Sequence, residues 1–122
     1  MNQAIILVGE GSSGKTMLIR HFTKFHNQDG ISAFSLKEII KNRFSISQLK
    51  KYNICEGIEN FKLFNTDKWK SLVAGEDMET EKKYEDPVFR KIVCNFIFTA
   101  LEIPKDFKPS KSHRIKIVYI SK

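Results

Sequence analysis

The chain has 122 residues, 41% of them hydrophobic and ten of them Phe, which excludes a disordered polypeptide and leaves enough apolar material for one core. Lys and Arg number 21 against 14 acids, for a net charge of +7, a surplus that suits a polyanionic partner but also fits a merely Lys-rich solvated surface. Cys55 and Cys94 form no C-x-x-C pair, and His21, His26 and His113 have no metal-ligand spacing, so a zinc site or a disulfide framework is not expected.

The first element is Ala4-Ile5-Ile6-Leu7-Val8. It is too short for a helix and unbroken by polar residues, which predicts a strand covered on both faces, as in a parallel sheet. Gly9 to Gly14 is a Gly/Ser loop. Met17, Leu18, Phe22 and Phe25 recur near helical spacing and predict a helix over Lys15–Phe25. His21 and His26 read as ordinary residues of its surface. Ile31 to Phe34 reads as a short strand. Ser35, with Glu38 three residues on, is a capping pattern for a helix over Leu36–Asn42.

Lys51 to Glu56 predicts a third strand that ends at an acid. Thr66 caps a helix through Trp69, Leu72 and Val73, which Gly75 stops. Met78 to Tyr84 reads as one arm of a hairpin that turns near Glu85-Asp86-Pro87. Ile92 to Thr99 is strongly apolar and predicts a central strand, and Ile115 to Ile120 a final one. Strands interleaved with helices give an α/β layered domain with a mainly parallel sheet. No linker or low-complexity tract divides residues 1–122, so a single domain is expected. No segment reaches the ~20 apolar residues of a membrane span, and the Ala4–Val8 run is too short for a signal-peptide core. A cytosolic chain is expected.

One motif carries chemistry. Gly9-Glu10-Gly11-Ser12-Ser13-Gly14-Lys15-Thr16 fits G-x-x-x-x-G-K-S/T, with a predicted strand before it and a helix after it. Glycines let backbone amides approach a phosphate chain closely and adopt positive φ. The loop amides and the positive end of the helix dipole form an anion cradle. Lys15 reaches the β- and γ-phosphates, and Thr16 offers its hydroxyl to Mg²⁺. This pattern predicts binding of a nucleoside triphosphate.

Hydrolysis needs a second acid beside the γ-phosphate, and a carboxylate at the C-terminal end of a strand suits that task. Glu56 is the candidate, for both water and metal, with Glu59 the runner-up. Lys82-Lys83-Tyr84 on the hairpin has the chemistry to touch a phosphodiester backbone and to stack, although Glu79, Glu81, Glu85 and Asp86 around it favour a plain solvated turn. Arg114, just before the last strand, has the charge to stabilise a transferring phosphoryl group in a neighbouring subunit, but alone reads equally as a solvated edge residue.

Taken in order, these pieces resemble a superfamily 3 helicase, an AAA+-type P-loop NTPase of DNA viruses, phages and plasmids. The resemblance runs from about Ile5 to Ile120. Gly9–Thr16 is similar to the family's first motif and Asn53-Ile54-Cys55-Glu56 to its second. Trp69 to Asp77 resembles its "LK-x-L-x-G-G-D" helix and turn, and Glu81-Lys82-Lys83-Tyr84 its DNA-touching hairpin. Phe98 to Pro104 resembles its third motif, and His113-Arg114 its arginine-finger strand. The resemblance implies an ATP- and Mg²⁺-dependent helicase or translocase in viral, phage or plasmid DNA replication. It implies a hexameric ring with ATP between subunits, Glu56 orienting water, Arg114 acting in trans, and Lys82, Lys83 and Tyr84 moving along single-stranded DNA. A fused or separate primase is a further implied partner, and a host-cell replication site the implied location if the source is viral.

Two departures matter. Leu101 stands where the family's third motif has an Asn, and a Leu neither donates nor accepts a hydrogen bond, so slow hydrolysis is expected. The chain also lacks the family's N-terminal collar or origin-binding segment. It is expected to be a piece of a longer primase–helicase or a trimmed, partly degenerate reading frame. Two other readings stay open: a small P-loop phosphotransferase, although its Arg-rich lid is not evident, and a non-catalytic ATP-binding subunit or regulator, which Leu101 favours.

Overall fold

A computed structural model of the chain describes residues 2–11, 14–26, 28–81 and 84–120. Ala4–Val8 forms strand β1, and its ladders explain its composition. β1 pairs in parallel with β6, Asn95–Ala100, on one side and with β7, Ile115–Tyr119, on the other. Both edges of its backbone are satisfied, while Ala4, Ile6 and Val8 are buried on one face and Ile5 and Leu7 half-buried on the other. β3, Tyr52–Glu56, pairs in parallel with β6, and the two-residue β2, Ile31–Ser32, pairs with β3. The five strands run in the order β2-β3-β6-β1-β7. The mainly parallel α/β sheet expected from the sequence is present, with β6 at its centre. That strand begins three residues later than the apolar run suggests, because Ile92 and Cys94 are instead buried ahead of the ladder.

The helix ends follow local chemistry. Helix α1 spans Lys15–Phe25 and starts after Gly14, which adopts φ 96°. Helix α2, Leu36–Lys41, begins with the expected capping box: the Ser35 hydroxyl accepts from the Glu38 amide, and the Glu38 carboxylate accepts from the Ser35 amide. Asn42 ends α2 and caps a further short helix that the sequence reading missed, α3, Arg43–Ser47. Thr66 caps α4, Asp67–Ala74, and Gly75 stops it at φ 82°. Strands β4, Asp77–Thr80, and β5, Val88–Lys91, form a separate antiparallel hairpin. Arg43 on α3 holds the turn side of the hairpin through Glu79 at 2.5 Å and Glu81 at 3.2 Å, and Ser47 adds a hydrogen bond to the Glu81 carbonyl at 3.0 Å.

The core lies on one face of the sheet. Ala4, Ile6 and Val8 of β1 and Phe96, Phe98 and Ala100 of β6 alternate inward with period two. Against them pack Leu72 and Val73 of α4, with Trp69 and Phe64 in edge contact at 4.9 Å and Trp69 5.1 Å from the Phe96 ring. Asn2 seals this layer from the edge. Its amide donates to the carbonyls of Leu72 at 2.9 Å and Ile92 at 2.7 Å, while its oxygen accepts from the Cys94 amide at 3.1 Å. Burial pushes the Cys94 thiol up to about 12.

Helix α1 is present as expected, but it does not bury the apolar residues that predicted it. Met17, Leu18 and Phe25 are exposed, Phe25 to 92%. Thr16, Ile19, Arg20 and Thr23 share the face that the helix turns toward β2 and β3, and Leu18 and Phe25 lie on the opposite face. Phe22 is held between His26, at 4.2 Å, and Tyr52 of β3, at 5.0 Å, so His26 is a ring contact rather than plain surface. No described helix is long and apolar enough to cross a membrane.

Candidate functional site

Parallel strands deliver their carboxyl ends to one edge, and loops leaving that edge are where open α/β sheets bind ligands. Here the register sets Leu7 of β1, Thr99 of β6 and Glu56 of β3 in one row across the sheet. The chain leaves β1 one residue later and enters the Gly9–Thr16 loop. The sequence-predicted loop, the acid Glu56 and the Thr99–Leu101 segment are therefore neighbours at this edge.

The loop begins tied to the sheet: the Gly9 amide donates to the Ala100 carbonyl at 3.1 Å. Glu10 and Gly11 are exposed, and Ser12 and Ser13 lie outside the described residues. Gly14 closes the loop with φ 96°, a conformation that costs most residues about 1 kcal/mol or more and glycine little. The space a side chain would occupy at Gly11 or Gly14 is open.

Lys15 opens α1 and is only 9% exposed. A buried ammonium must find acceptors, and it finds two backbone carbonyls, those of Gly9 and, at 3.2 Å, Ala100. No carboxylate pairs with it among the described residues. Thr16 follows on the exposed side of the helix and lines a groove of about 510 Å³ between α1 and the β2–β3 half of the sheet. Glu56 and Cys55 line the same groove from the opposite wall. Burial, then the carboxylates of Glu59, Glu38 and Glu56, raise the Cys55 thiol above its ordinary value and keep it neutral.

The end of β3 is shaped by two residues. Gly57 turns the chain away at φ 96°, and its amide donates to the Thr99 hydroxyl at 2.9 Å. Glu56 is left exposed at the mouth of the groove. Glu59, the runner-up, is exposed in the loop beyond and does not line that groove. Leu101, directly after β6, is 68% exposed.

Among its described residues the loop has features that an anion could use. The open space at Gly11 and Gly14, the left-handed φ of Gly14 and a cation with no acidic partner among the described residues are features that could form an anion cradle. No group of three or more metal-binding side chains occurs among the described residues. Mg²⁺ does not need one, because it keeps waters and phosphate oxygens and takes only one or two protein oxygens. Thr16 and Glu56, which line one groove, could supply oxygens of that kind.

The other expected site residues lie elsewhere. Arg114 precedes β7, whose first residue pairs with Ala4, so it stands at the amino end of the strands, opposite the loop. It has φ 52° and lines two adjoining clefts of about 440 and 520 Å³, with Lys111 common to both. A residue so placed does not meet the loop of its own chain. Tyr84 is 94% exposed with φ 67°, while Lys82 and Lys83 lie outside the described residues.

His113, adjacent to Arg114, is a structural histidine. The Ser110 amide donates to its Nδ1 at 2.8 Å, its Nε2 hydrogen-bonds Asn65 at 2.8 Å, and the Trp69 indole donates to its carbonyl at 3.1 Å. Burial, with Lys70 nearby, lowers its pKa. Sequence reasoning missed three contributors: the Ala100 carbonyl, the Thr99 hydroxyl as a hydrogen-bond partner of Gly57, and the Cys55 wall. A backbone carbonyl leaves no trace in residue identity, and the signal available for Thr99 was a hydroxyl among apolar neighbours at a strand end.

No curated protein sequence matches the chain. Among solved structures, the chain is similar to the A form apo structure of the C-terminal region of NrS-1. That likeness has a TM-score of 0.69 at 19% identity over 98% of this chain and 29% of that one. Two further structures of the same region, spanning residues 305–718, give TM-scores of 0.65 and 0.66 at 18% identity over 98% and 97% of this chain. The chain spans less than a third of the length of those structures, and the likeness is one of fold. The family described as DUF5906, a family of unknown function, matches residues 7–114, and the chain belongs to that family.

Proposed function

We propose that the chain is an ATP-binding and ATP-hydrolysing domain of a DNA helicase or translocase that works in viral, phage or plasmid replication. The observation that carries this reading is the buried Lys15 ammonium behind a left-handed Gly14, at the carboxyl end of a parallel sheet, with Thr16 and Glu56 on opposite walls of one groove. In this reading Mg²⁺, when bound, neutralises charge on the β- and γ-phosphates. The loop amides and Lys15 hold the triphosphate, Thr16 and Glu56 supply metal oxygens, and Glu56 orients the attacking water.

Arg114 faces away from its own loop, so its action on phosphate requires a second subunit, as in a ring with nucleotide between protomers. Lys82, Lys83 and Tyr84 would contact single-stranded DNA in this reading. A primase, fused or separate, belongs to the same proposal.

A second reading is supported by one observation. Leu101 sits exposed at the end of β6, where a polar side chain would sense the γ-phosphate. A domain with that residue can bind ATP without turning it over, as a non-catalytic subunit of such a ring. Phosphate release measured with and without single-stranded DNA, beside a sizing measurement, separates the two. DNA-stimulated release from an oligomer supports the motor, and tight ATP binding without release supports the subunit. Absence of ATP binding defeats both.

A further inference from the structure

We propose that Thr99 is a positioning residue for the Glu56 carboxylate, acting through Gly57. The inference rests on the reading that Glu56 orients water, and it adds a residue to that site. Glu56 is the last residue of β3 and stands directly beside Thr99 in the parallel ladder. Beyond it the ladder ends and the chain must turn. Two features fix that turn: the left-handed φ of Gly57 and the 2.9 Å hydrogen bond from the Gly57 amide to the Thr99 hydroxyl.

A carboxylate on the final residue of a strand is only as well aimed as the backbone on its far side. Thr99 is 7% exposed, so its hydroxyl competes with little solvent for that amide. The next residue completes the device, since the Ala100 carbonyl accepts from the Gly9 amide at 3.1 Å and from Lys15 at 3.2 Å. Two consecutive residues of the central strand thus hold the two halves of the site, Thr99 the acid and Ala100 the phosphate loop. Their relative position is set by one strand and not by two independent loops.

The test is steady-state ATP hydrolysis by the 122-residue chain with Mg²⁺ and single-stranded oligo(dT), on the wild type, Thr99→Val, Thr99→Ser and Glu56→Gln. Val keeps the shape and removes the acceptor, whereas Ser keeps the acceptor. Thr99→Val is expected to lower kcat by about tenfold to a hundredfold with KM for ATP nearly unchanged. Thr99→Ser is expected to restore most of the rate, and Glu56→Gln to remove it. Thr99→Ala serves as a second acceptor-free variant if Val fails to fold.

Wild-type kcat in a folded Thr99→Val, with Glu56→Gln dead, overturns the positioning role and leaves the functional reading standing. Equal losses in the Val and Ser variants, or a loss confined to KM, also overturn it. A fully active Glu56→Gln, or a wild type with no turnover, overturns the role assigned to Glu56 and the proposal with it.

Discussion

The ammonium of Lys15 donates to the main-chain carbonyl of Ala100 across 3.2 Å, joining the first turn of α1 to the last residue of the central strand. Residues 85 apart in sequence meet because β1 and β6 are adjacent, in register and parallel, so both release their chains at the same edge. The cation's two acceptors are neutral. A phosphate oxygen carries negative charge and adds a Coulombic attraction to the ammonium that a neutral carbonyl lacks. In the proposed reading, bound phosphate would take over Lys15 from these carbonyls.

Asn2 should be a large single contributor to stability. It satisfies two carbonyls and one amide in the buried layer between α4 and β6. Asn2→Ala leaves those groups unpaired and is expected to cost about 2–4 kcal/mol, read as a lowered urea midpoint with unchanged slope. Asn2→Asp should be no better, since it places acceptors against the Leu72 and Ile92 carbonyls.

Stability should fall with acid through His113. In the unfolded chain an imidazole titrates at its ordinary value, about 6.5, and in the folded chain its pKa lies lower because of burial and then Lys70. Protons therefore favour the unfolded state. The stabilisation is complete above pH about 6.5 and is lost as pH falls through the folded value. Melting temperatures across a pH series from about 4.5 to 8 should show this slope, and His113→Gln should flatten it.

The Leu101 position predicts a gain of function. If β6 ends where a γ-phosphate sensor belongs, Leu101→Asn should raise ATP turnover by roughly tenfold or more, as a donor aimed at developing charge does. Its 68% exposure means that the substitution disturbs no core. An unchanged turnover in a folded protein would detach Leu101 from the chemistry.

The hairpin gives a salt-dependence prediction. Lys82→Ala with Lys83→Ala should weaken single-stranded DNA binding and reduce the slope of log affinity against log salt by about 0.7 for each phosphate that these lysines neutralise. An unaltered slope, by fluorescence anisotropy over a salt series, would make these residues a solvated turn.

Much of the architecture was legible because single residues dictated it. Ser35 with Glu38, Thr66 and Gly75 mark helix ends by hydrogen bonds and φ values that few other residue types supply. The unbroken Ala4–Val8 run marked an interior strand, which the parallel ladders on both edges of β1 bear out, although only Ala4, Ile6 and Val8 are fully buried while Ile5 and Leu7 on the other face are half-buried. The pairing partners were less legible: nothing in Thr99 or Ala100 as residue types says that β6 lies between β1 and β3. Helix α1 misled in a different way. Met17, Leu18 and Phe25 have the spacing of an apolar face, but spacing gives a helix without saying which side is covered. In the site, the left-handed turn at Gly14 was readable because positive φ restricts residue type. The hold of Thr99 on Gly57 depends on strand register, which emerges only when β3 and β6 pair.

The most direct measurement is an equilibrium titration of MgATP onto the wild-type chain and onto Lys15→Ala, with circular dichroism to establish that both are folded. The account predicts saturable binding by the wild type and at least a roughly tenfold weaker affinity in the variant, a loss of about 1.4 kcal/mol or more. Equal affinities in the two proteins, or no binding by a folded wild type, would contradict it.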